Sequence, residues 1–281
     1  MFESIKKVVK KENLNENEAF EIMLELMKGN LDDVQIAALL VGLRSKGETV
    51  DEITGFAKAM RHTMIELDLN FPAIDMCGTG GDYSGTFNIS TASSIVVAGA
   101  GIKVAKHGNR SMTSKSGSAD VLEALNVDIN KSNENCIRSL EKNNICFMFA
   151  PNFHPAFKHI APVRKALAQE NIITIFNLLG PTINPAAPAN QLLGVFNPAL
   201  IKKIGQALTA NKVTSGIVVH GLVNDPLITG VDELTNCGTN QVFGIGNLAM
   251  PETENWAPGR WNVKEGIFSD LSGGNLQENL K

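Results

Sequence analysis

From residue 72 onward, short apolar runs alternate with stretches of helical periodicity. That alternation restricts the fold more than any other feature of the chain. The runs are AIDM, IKVA, ICFMFA, ITIFNLL, QLLGVF and GIVVH, spread between Ala73 and His220. Runs of four to eight apolar residues closed by Gly, Pro or Asn suit strands buried on both faces. Between them lie helical stretches such as SADVLEAL and PALIKKIGQAL. Strand–helix alternation of this kind predicts an α/β layer around a largely parallel sheet. With 281 residues, 43% hydrophobic and 19% charged, the chain has the apolar content for such a core.

The first 70 residues carry no strand signal and read as an α-helical domain. Asn15 followed by Glu18 is a helix start, since the Asn side chain accepts an otherwise unpaired backbone N–H and the Glu reaches back. Phe20, Met23, Leu24 and Met27 then recur at helical spacing, with Gly29 as a stop. Asp32 opens a second helix with Ile36, Leu39, Leu40 and Leu43 on one face, and Thr49 with Glu52 opens a third before Ile53, Phe56 and Met60.

A net charge of −4 argues against a broad nucleic-acid or acidic-membrane surface. Cys77, Cys136, Cys146 and Cys237 form neither a CxxC pair nor a dense framework, which predicts reduced thiols. The segment MFESIKKVVKKENLNE lacks the apolar centre of a signal peptide, and the longest apolar stretch, Ile95–Ile102, is too short to span a bilayer. A cytoplasmic protein without membrane or nucleic-acid partners is expected.

Chemistry concentrates after the strand-like runs. Gly78-Thr79-Gly80-Gly81-Asp82 follows AIDM directly. Its glycines permit a tight turn and close backbone approach, and consecutive N–H groups there can cradle an anion. Asn88-Ile89-Ser90-Thr91 then leads into an apolar helix read over Ala92–Ala100, whose N-terminus favours phosphate. Taken alone, such a glycine segment is more often just a turn, and its spacing fits neither GxxxxGK[ST] nor GxGxxG. Lys106-His107-Gly108-Asn109-Arg110 follows IKVA at a strand end, where α/β sheets bind ligands; a solvated turn is the plainer alternative. The hydroxyl-rich loop Ser111–Asp120, with Lys115, suits a pyrophosphate group or is a flexible loop with Ser118 as helix cap. His154 and His159 are five apart, off the spacing of helical zinc pairs. Asp232 and Glu233 are adjacent acids, which by themselves are usually just solvated surface.

GTGGD, FNISTAS, KHGNRS and SKSGSADVLEAL, in this order and spacing, resemble the anthranilate phosphoribosyltransferase family, and HPAFKHIAPVRK, IFNLLGPTINPA, QLLGVFNP and VVHG agree with it. The resemblance implies a small helical domain (1–70, joined by helices around 155–180) hinged to a larger α/β domain (71–281). Phosphoribosyl pyrophosphate would bind between them with two magnesium ions. It places Gly78, Thr79, Gly81, Asp82, Thr86, Asn88, Ser90, Thr91, Lys106 and Ser118 around that substrate. Gly78, His107, Asn109, His154, Arg164, Gly180 and Pro181 would face anthranilate, and Ser90, Asp232 and Glu233 would hold magnesium. A homodimer is the implied assembly. The residues agree with these roles: an arginine fork suits the carboxylate of anthranilate, and hard magnesium suits carboxylates shared with phosphate oxygens.

The sequence departs from the family pattern in ALAQENIITIF and LVNDPLITG, which are longer than the family's equivalents, and in ending soon after Ser272-Gly273-Gly274-Asn275. A chain shorter than a complete member is expected to leave apolar surface uncovered. Two other readings remain open from the residues: a pyrimidine nucleoside phosphorylase of the same architecture, and a nucleic-acid-binding relative without activity.

Overall fold

The computed structural model describes residues 2–110, 117–228 and 230–274. Its N-terminal part consists of α1 (Phe2–Val9), α2 (Glu16–Met27), α3 (Asp33–Lys46) and α4 (Val50–Thr63). Reciprocal caps set three of the helix starts. The Asn15 side chain accepts the Glu18 N–H at 2.9 Å while Glu18 accepts that of Asn15 at 3.0 Å, and Asp32 with Gln35 and Thr49 with Glu52 do the same. Glu52 is wholly buried and also receives the Leu14 N–H at 2.9 Å and the Lys46 ammonium at 2.7 Å, which ties the α1–α2 connection to α4. The α2 helix ends at Met27, and Gly29 takes φ +79° just beyond it.

The rest of the chain runs through β1 (Ile74–Gly78), α5 (Ile89–Gly99), β2 (Val104–Gly108), α6 (Ser118–Ala124), α7 (Asn133–Asn143), β3 (Ile145–Phe149), α8 (Ala150–Phe153), α9 (Ala161–Gln169) and α10 (Ile175–Leu179). It continues through β4 (Asn190–Gly194), α11 (Ile201–Ala210), β5 (Ser215–Leu222), β6 (Gly230–Val231), β7 (Asn240–Gly246) and β8 (Glu254–Trp256). The sheet order is β3-β2-β1-β4-β5-β7-β8, with β6 paired to β5. The first five strands in sequence are parallel, and β6, β7 and β8 add antiparallel pairs. The α/β architecture with a mostly parallel sheet is therefore the observed one.

Two expectations need correction. ITIFNLL forms no strand: it supplies α10, entered where the Asn177 side chain accepts the Thr174 N–H at 3.3 Å. Ile175, Phe176, Leu178 and Leu179 are all buried, so the run shows neither helical nor strand periodicity. The apolar helix after the glycine segment begins at Ile89, three residues ahead of the expected Ala92, with Asn88 as its N-cap.

The sheet reverses its building direction between β1 and β4, which are parallel neighbours while their successors lie on opposite sides. Such a switch point opens a crevice at the carboxyl ends of the two strands. The segment Asp232-Glu233 crosses that crevice. A Cβ on Gly78, the last residue of β1, would overlap the Asp232 carboxylate; one on Gly194, the last of β4, would overlap the Asp232 backbone carbonyl. Glycine at both strand ends is what lets the acids lie so close.

The largest core cluster joins the helical bundle to α9, α10 and α11, with Met60, Ile160, Phe176, Leu179 and Ile204 among its members. By contrast, the other end of the sheet is open. A cleft of about 650 Å³ runs along Ile74, Ile102, Leu192, Ile217, Leu234 and Leu248, and Val96 of α5 is 72% exposed. After Met250 the chain adds β8, and further on Ser272 bridges Thr86, with Leu271 and Gly273 bonded to Phe87 and Gly85. The loop over 111–116, including Lys115, and the residues from Asn275 onward lie outside the described residues.

Gly194→Ala is expected to lower unfolding stability by about 1–3 kcal/mol, because a backbone segment must shift to admit the methyl group, and urea titration measures it. A dye that fluoresces in apolar surroundings is expected to bind the open cleft, with Ile102→Glu and Leu248→Glu, both at half-exposed positions, cutting the signal without loss of helical circular dichroism.

Candidate active site

The glycine segment leaves β1 at the switch point and turns back sharply. Gly80 and Gly81 take φ of +65° and +82°, a region other residues enter only at a cost. Asp232 accepts the Gly80 N–H at 2.6 Å, and Asp82 accepts the N–H of Asp232 at 3.3 Å and that of Ser84 at 3.2 Å. Thr79 is buried and holds the loop to the end of β4: its N–H donates to Gly194 and its hydroxyl accepts the Phe196 N–H at 3.1 Å. Thr86 lies in the same loop, 3.4 Å from the Ser84 hydroxyl.

The α5 helix points its N-terminus at this loop. Ser90 in its first turn donates to both oxygens of Glu233 at 3.0 and 3.1 Å, while Thr91 is buried one residue further on. Lys106 is buried and donates to the Met76 carbonyl at 2.8 Å. Burial, with Asp82 and Glu233 beside it, raises the Asp232 carboxyl well above its ordinary range; burial likewise pushes Glu233 up to about 7, against the opposing pull of Ser90 and Lys106. Acids crowded in a desolvated crevice need a cation there to ionise. No group of three or more His, Cys, Asp or Glu among the described residues converges as a ready-made metal cage. The donor set fits magnesium, which commonly takes one or two carboxylates and completes its shell with phosphate oxygens and water.

Ser118 opens α6 with its Cβ 3.3 Å from where a Cβ on Gly108 would lie; Gly117, not Ser118, is the N-cap. Asn109 is exposed at the end of β2, with its side chain accepting the Arg110 N–H at 2.8 Å and its carbonyl the Ala119 N–H at 3.3 Å.

A second set of residues lies between the sheet and the helical bundle. His107 and His154 are 5.1 Å apart between ring centroids, His154 lies 6.0 Å from Phe157, and Phe157 lies 5.4 Å from Phe176. The guanidinium of Arg164 sits over both phenyl rings, at 5.4 and 5.0 Å. Burial lowers His107 to about 3, helped by the adjacent His154, and lowers His154 to about 4. Both imidazoles are therefore neutral at pH 7, and each has a buried Nε2 without a partner among the described residues. Burial also draws Arg164 down to about 10, which leaves it cationic. Among the described residues it has no carboxylate partner. Gly180 and Pro181 form the turn after α10, with the Gly180 backbone beside His107.

The two sets adjoin. Tyr83 of the glycine loop lines one small pocket together with Arg164, Ile173, Thr174 and Asn177, and Gly81 faces the Ile173 side chain. Sequence reasoning missed Tyr83, Ile173 and Asn177; the only signal was the Thr174–Asn177 spacing of a helix start. His159 lies against Gly29, and His220 bonds the Val195 carbonyl at 2.8 Å as part of the scaffold.

Comparison with known proteins agrees with this arrangement. Residues 2–64 match the helical bundle domain of the glycosyl transferase family, and residues 70–281 match its α/β domain. The anthranilate phosphoribosyltransferase of Thermoanaerobacter sp. (strain X514) is 44% identical over 282 residues, covering 99% of this chain and 80% of that protein. That of Brevibacillus brevis is 43% identical, covering 99% and 79%. The crystal structure of the Thermus thermophilus enzyme superposes with a TM-score of 0.87 at 40% identity, covering 99% of this chain and 80% of the other. The Saccharomyces cerevisiae enzyme in complex with PRPP and Mg gives 0.85 at 26% identity, covering 99% and 78%. Fold, site layout and relatives agree that the chain belongs to the anthranilate phosphoribosyltransferase family.

Proposed function

We propose that this chain transfers the phosphoribosyl group of phosphoribosyl pyrophosphate to the amine of anthranilate, releasing pyrophosphate, as a step of tryptophan biosynthesis. One observation carries the reading: a cationic guanidinium without a carboxylate partner among the described residues, held over two phenyl rings, lines a pocket that the glycine loop also lines. The guanidinium over phenyl rings matches the chemistry of an aromatic acid, and the glycine loop that of a phosphorylated sugar. The yeast relative is known in complex with PRPP and Mg and also with 4-fluoroanthranilate, the latter at a TM-score of 0.83 and 25% identity over 99% of this chain and 78% of the other.

In this reading the glycine loop Gly78–Asp82 and the start of α5 surround the pyrophosphate and 5-phosphate oxygens, with Thr86, Asn88, Ser90, Thr91, Lys106 and Ser118 around them. Asp232, Glu233 and Ser90 would hold magnesium, two ions by the family pattern, and magnesium neutralises charge on the leaving pyrophosphate. Arg164 takes the carboxylate of anthranilate. Asn109, Gly180 and Pro181 line its ring, and the neutral His107 and His154 offer it hydrogen-bonding nitrogens without adding charge. The anthranilate amine is a free base at neutral pH, so no strong general base is needed. Attack at the anomeric carbon depends on placing the amine in line as pyrophosphate departs. The helical bundle (1–70 with helices around 155–180) and the α/β body (71–281) would close on the substrates, in a homodimeric cytoplasmic enzyme. No helix among the described residues is long and apolar enough to cross a membrane.

Loss of anthranilate fluorescence with phosphoribosyl pyrophosphate and magnesium tests the reading. Turnover supports it; absence of turnover, or phosphorolysis of thymidine instead, contradicts it. Arg164→Ala is expected to raise the anthranilate KM about 10- to 100-fold, the loss of one charge-assisted bond, while the phosphoribosyl pyrophosphate KM stays put. An unchanged anthranilate KM removes Arg164 from this role.

The acids predict a pH effect of definite sign. A carboxyl whose folded pKa is raised stabilises the fold below its unfolded pKa and loses that contribution as pH rises through the folded value. For Glu233 the window runs from the unfolded value near 4.5 up to about 7. Without magnesium, Glu233→Gln is therefore expected to gain melting temperature relative to the parent as pH rises from about 5 to 8. Magnesium should raise the parent's melting temperature more at pH 8 than at pH 5. Parallel pH curves for the two proteins would contradict the assignment.

A further inference from the structure

The turn behind the aromatic pocket is held from two sides. From the helical bundle, Arg61 of α4 donates Nε and Nη2 to the Thr182 carbonyl at 2.9 and 2.6 Å, and Nη1 to the carbonyl of Asn211 at 3.2 Å. Asn211 is the C-cap of α11, so the guanidinium lies where that helix leaves its carbonyls unpaired and its dipole is negative. From the sheet, the buried Gln191 of β4 donates Nε2 to the Pro181 carbonyl at 2.6 Å. The Thr182 hydroxyl closes the turn on the Leu179 carbonyl at 2.8 Å. Successive carbonyls are thus fixed by side chains rooted in different parts of the fold.

Arg61 has no carboxylate partner among the described residues, and burial lowers its pKa. A desolvated guanidinium compensated only by carbonyls is an expensive way to fill space, and an apolar side chain of similar volume is usually at least as stabilising. What the arginine adds is direction: its planar fork fixes the angle between α4 and the turn. The turn also borders both imidazoles, with the Gly180 backbone beside His107 and the Ile183 backbone beside His154.

We propose that Arg61 and Gln191 are positioning residues that clamp Gly180–Thr182 as the wall of the acceptor pocket, with Arg61 linking the placement of the helical bundle to the shape of that wall. The proposal rests on the transferase reading for its kinetic consequence and on geometry alone for the clamp.

Arg61→Met and Gln191→Met remove the donors at similar volume, and Arg61→Lys keeps charge without the fork. Hydrogen–deuterium exchange is expected to quicken about tenfold over residues 178–184 in both Met variants, with 50–60 unchanged. In steady state the anthranilate KM should rise about tenfold while the phosphoribosyl pyrophosphate KM and kcat stay within about twofold. Arg61→Lys should recover part of the loss. If Arg61→Met does not fold, Gln191→Met and Arg61→Lys carry the same comparison. Unchanged exchange at 178–184, or both KM values moving together, overturns the clamp. A parent protein without turnover would count against the transferase reading alone, and the exchange comparison would still decide the clamp.

Discussion

The structure depends on one close crossing: the backbone of Asp232 and Glu233 laid over the carboxyl ends of β1 and β4. Gly78 and Gly194 make the crossing possible, since a methyl group on either would collide with Asp232. The same crossing brings Asp232 to the Gly80 N–H, Asp82 to the Asp232 N–H and Glu233 to Ser90. It therefore shapes the glycine loop and sets the direction of the α5 N-terminus toward it. The electrostatic result is a crevice in which burial and neighbouring negative charge raise Asp232 and Glu233, a cost that a divalent cation on a polyphosphate would relieve.

The second half of the site depends on the helical bundle. The core cluster that holds α2, α3 and α4 together also contains residues of α9 and α10. Arg164 and Phe176 thus sit on helices packed against the bundle, in a cluster that also takes in Leu193, Val218 and Ile245 of the sheet, while His107 and the glycine loop extend from the strand ends. A pocket divided in this way would be completed only when the two parts are correctly placed. This is a physical reason for a buried arginine such as Arg61 to reach across with three hydrogen bonds.

Much of this was legible in the residues. The caps at Asn15, Asp32 and Thr49 are written as residue pairs three apart, and all three helices begin there. Parallel strands buried on both faces announce themselves as apolar runs, and β1, β2, β3, β4 and β5 were found that way. The same signal failed for Ile173–Leu179, because a short helix buried all round is as apolar as a buried strand. The antiparallel β7 and β8 carry no comparable signal: β7 is interrupted by Gly244, and β8 is only three residues long. Within the site, GTGGD and KHGNR could be read as ligand segments from their chemistry. The acid pair could not: only the three-dimensional crossing distinguishes Asp232 and Glu233 from ordinary surface acids. Arg61 and Gln191 carry no local signal, since their partners are backbone carbonyls more than a hundred residues away for Arg61 and on another element for Gln191.

A crystal structure with phosphoribosyl pyrophosphate, magnesium and an unreactive anthranilate analogue tests the central claim most directly. The account predicts pyrophosphate on the Gly78–Asp82 loop, magnesium within coordination distance of Asp232 or Glu233, and the analogue's carboxylate on Arg164. Pyrophosphate bound away from the β1–β4 crevice, or an analogue whose carboxylate ignores Arg164, would contradict it.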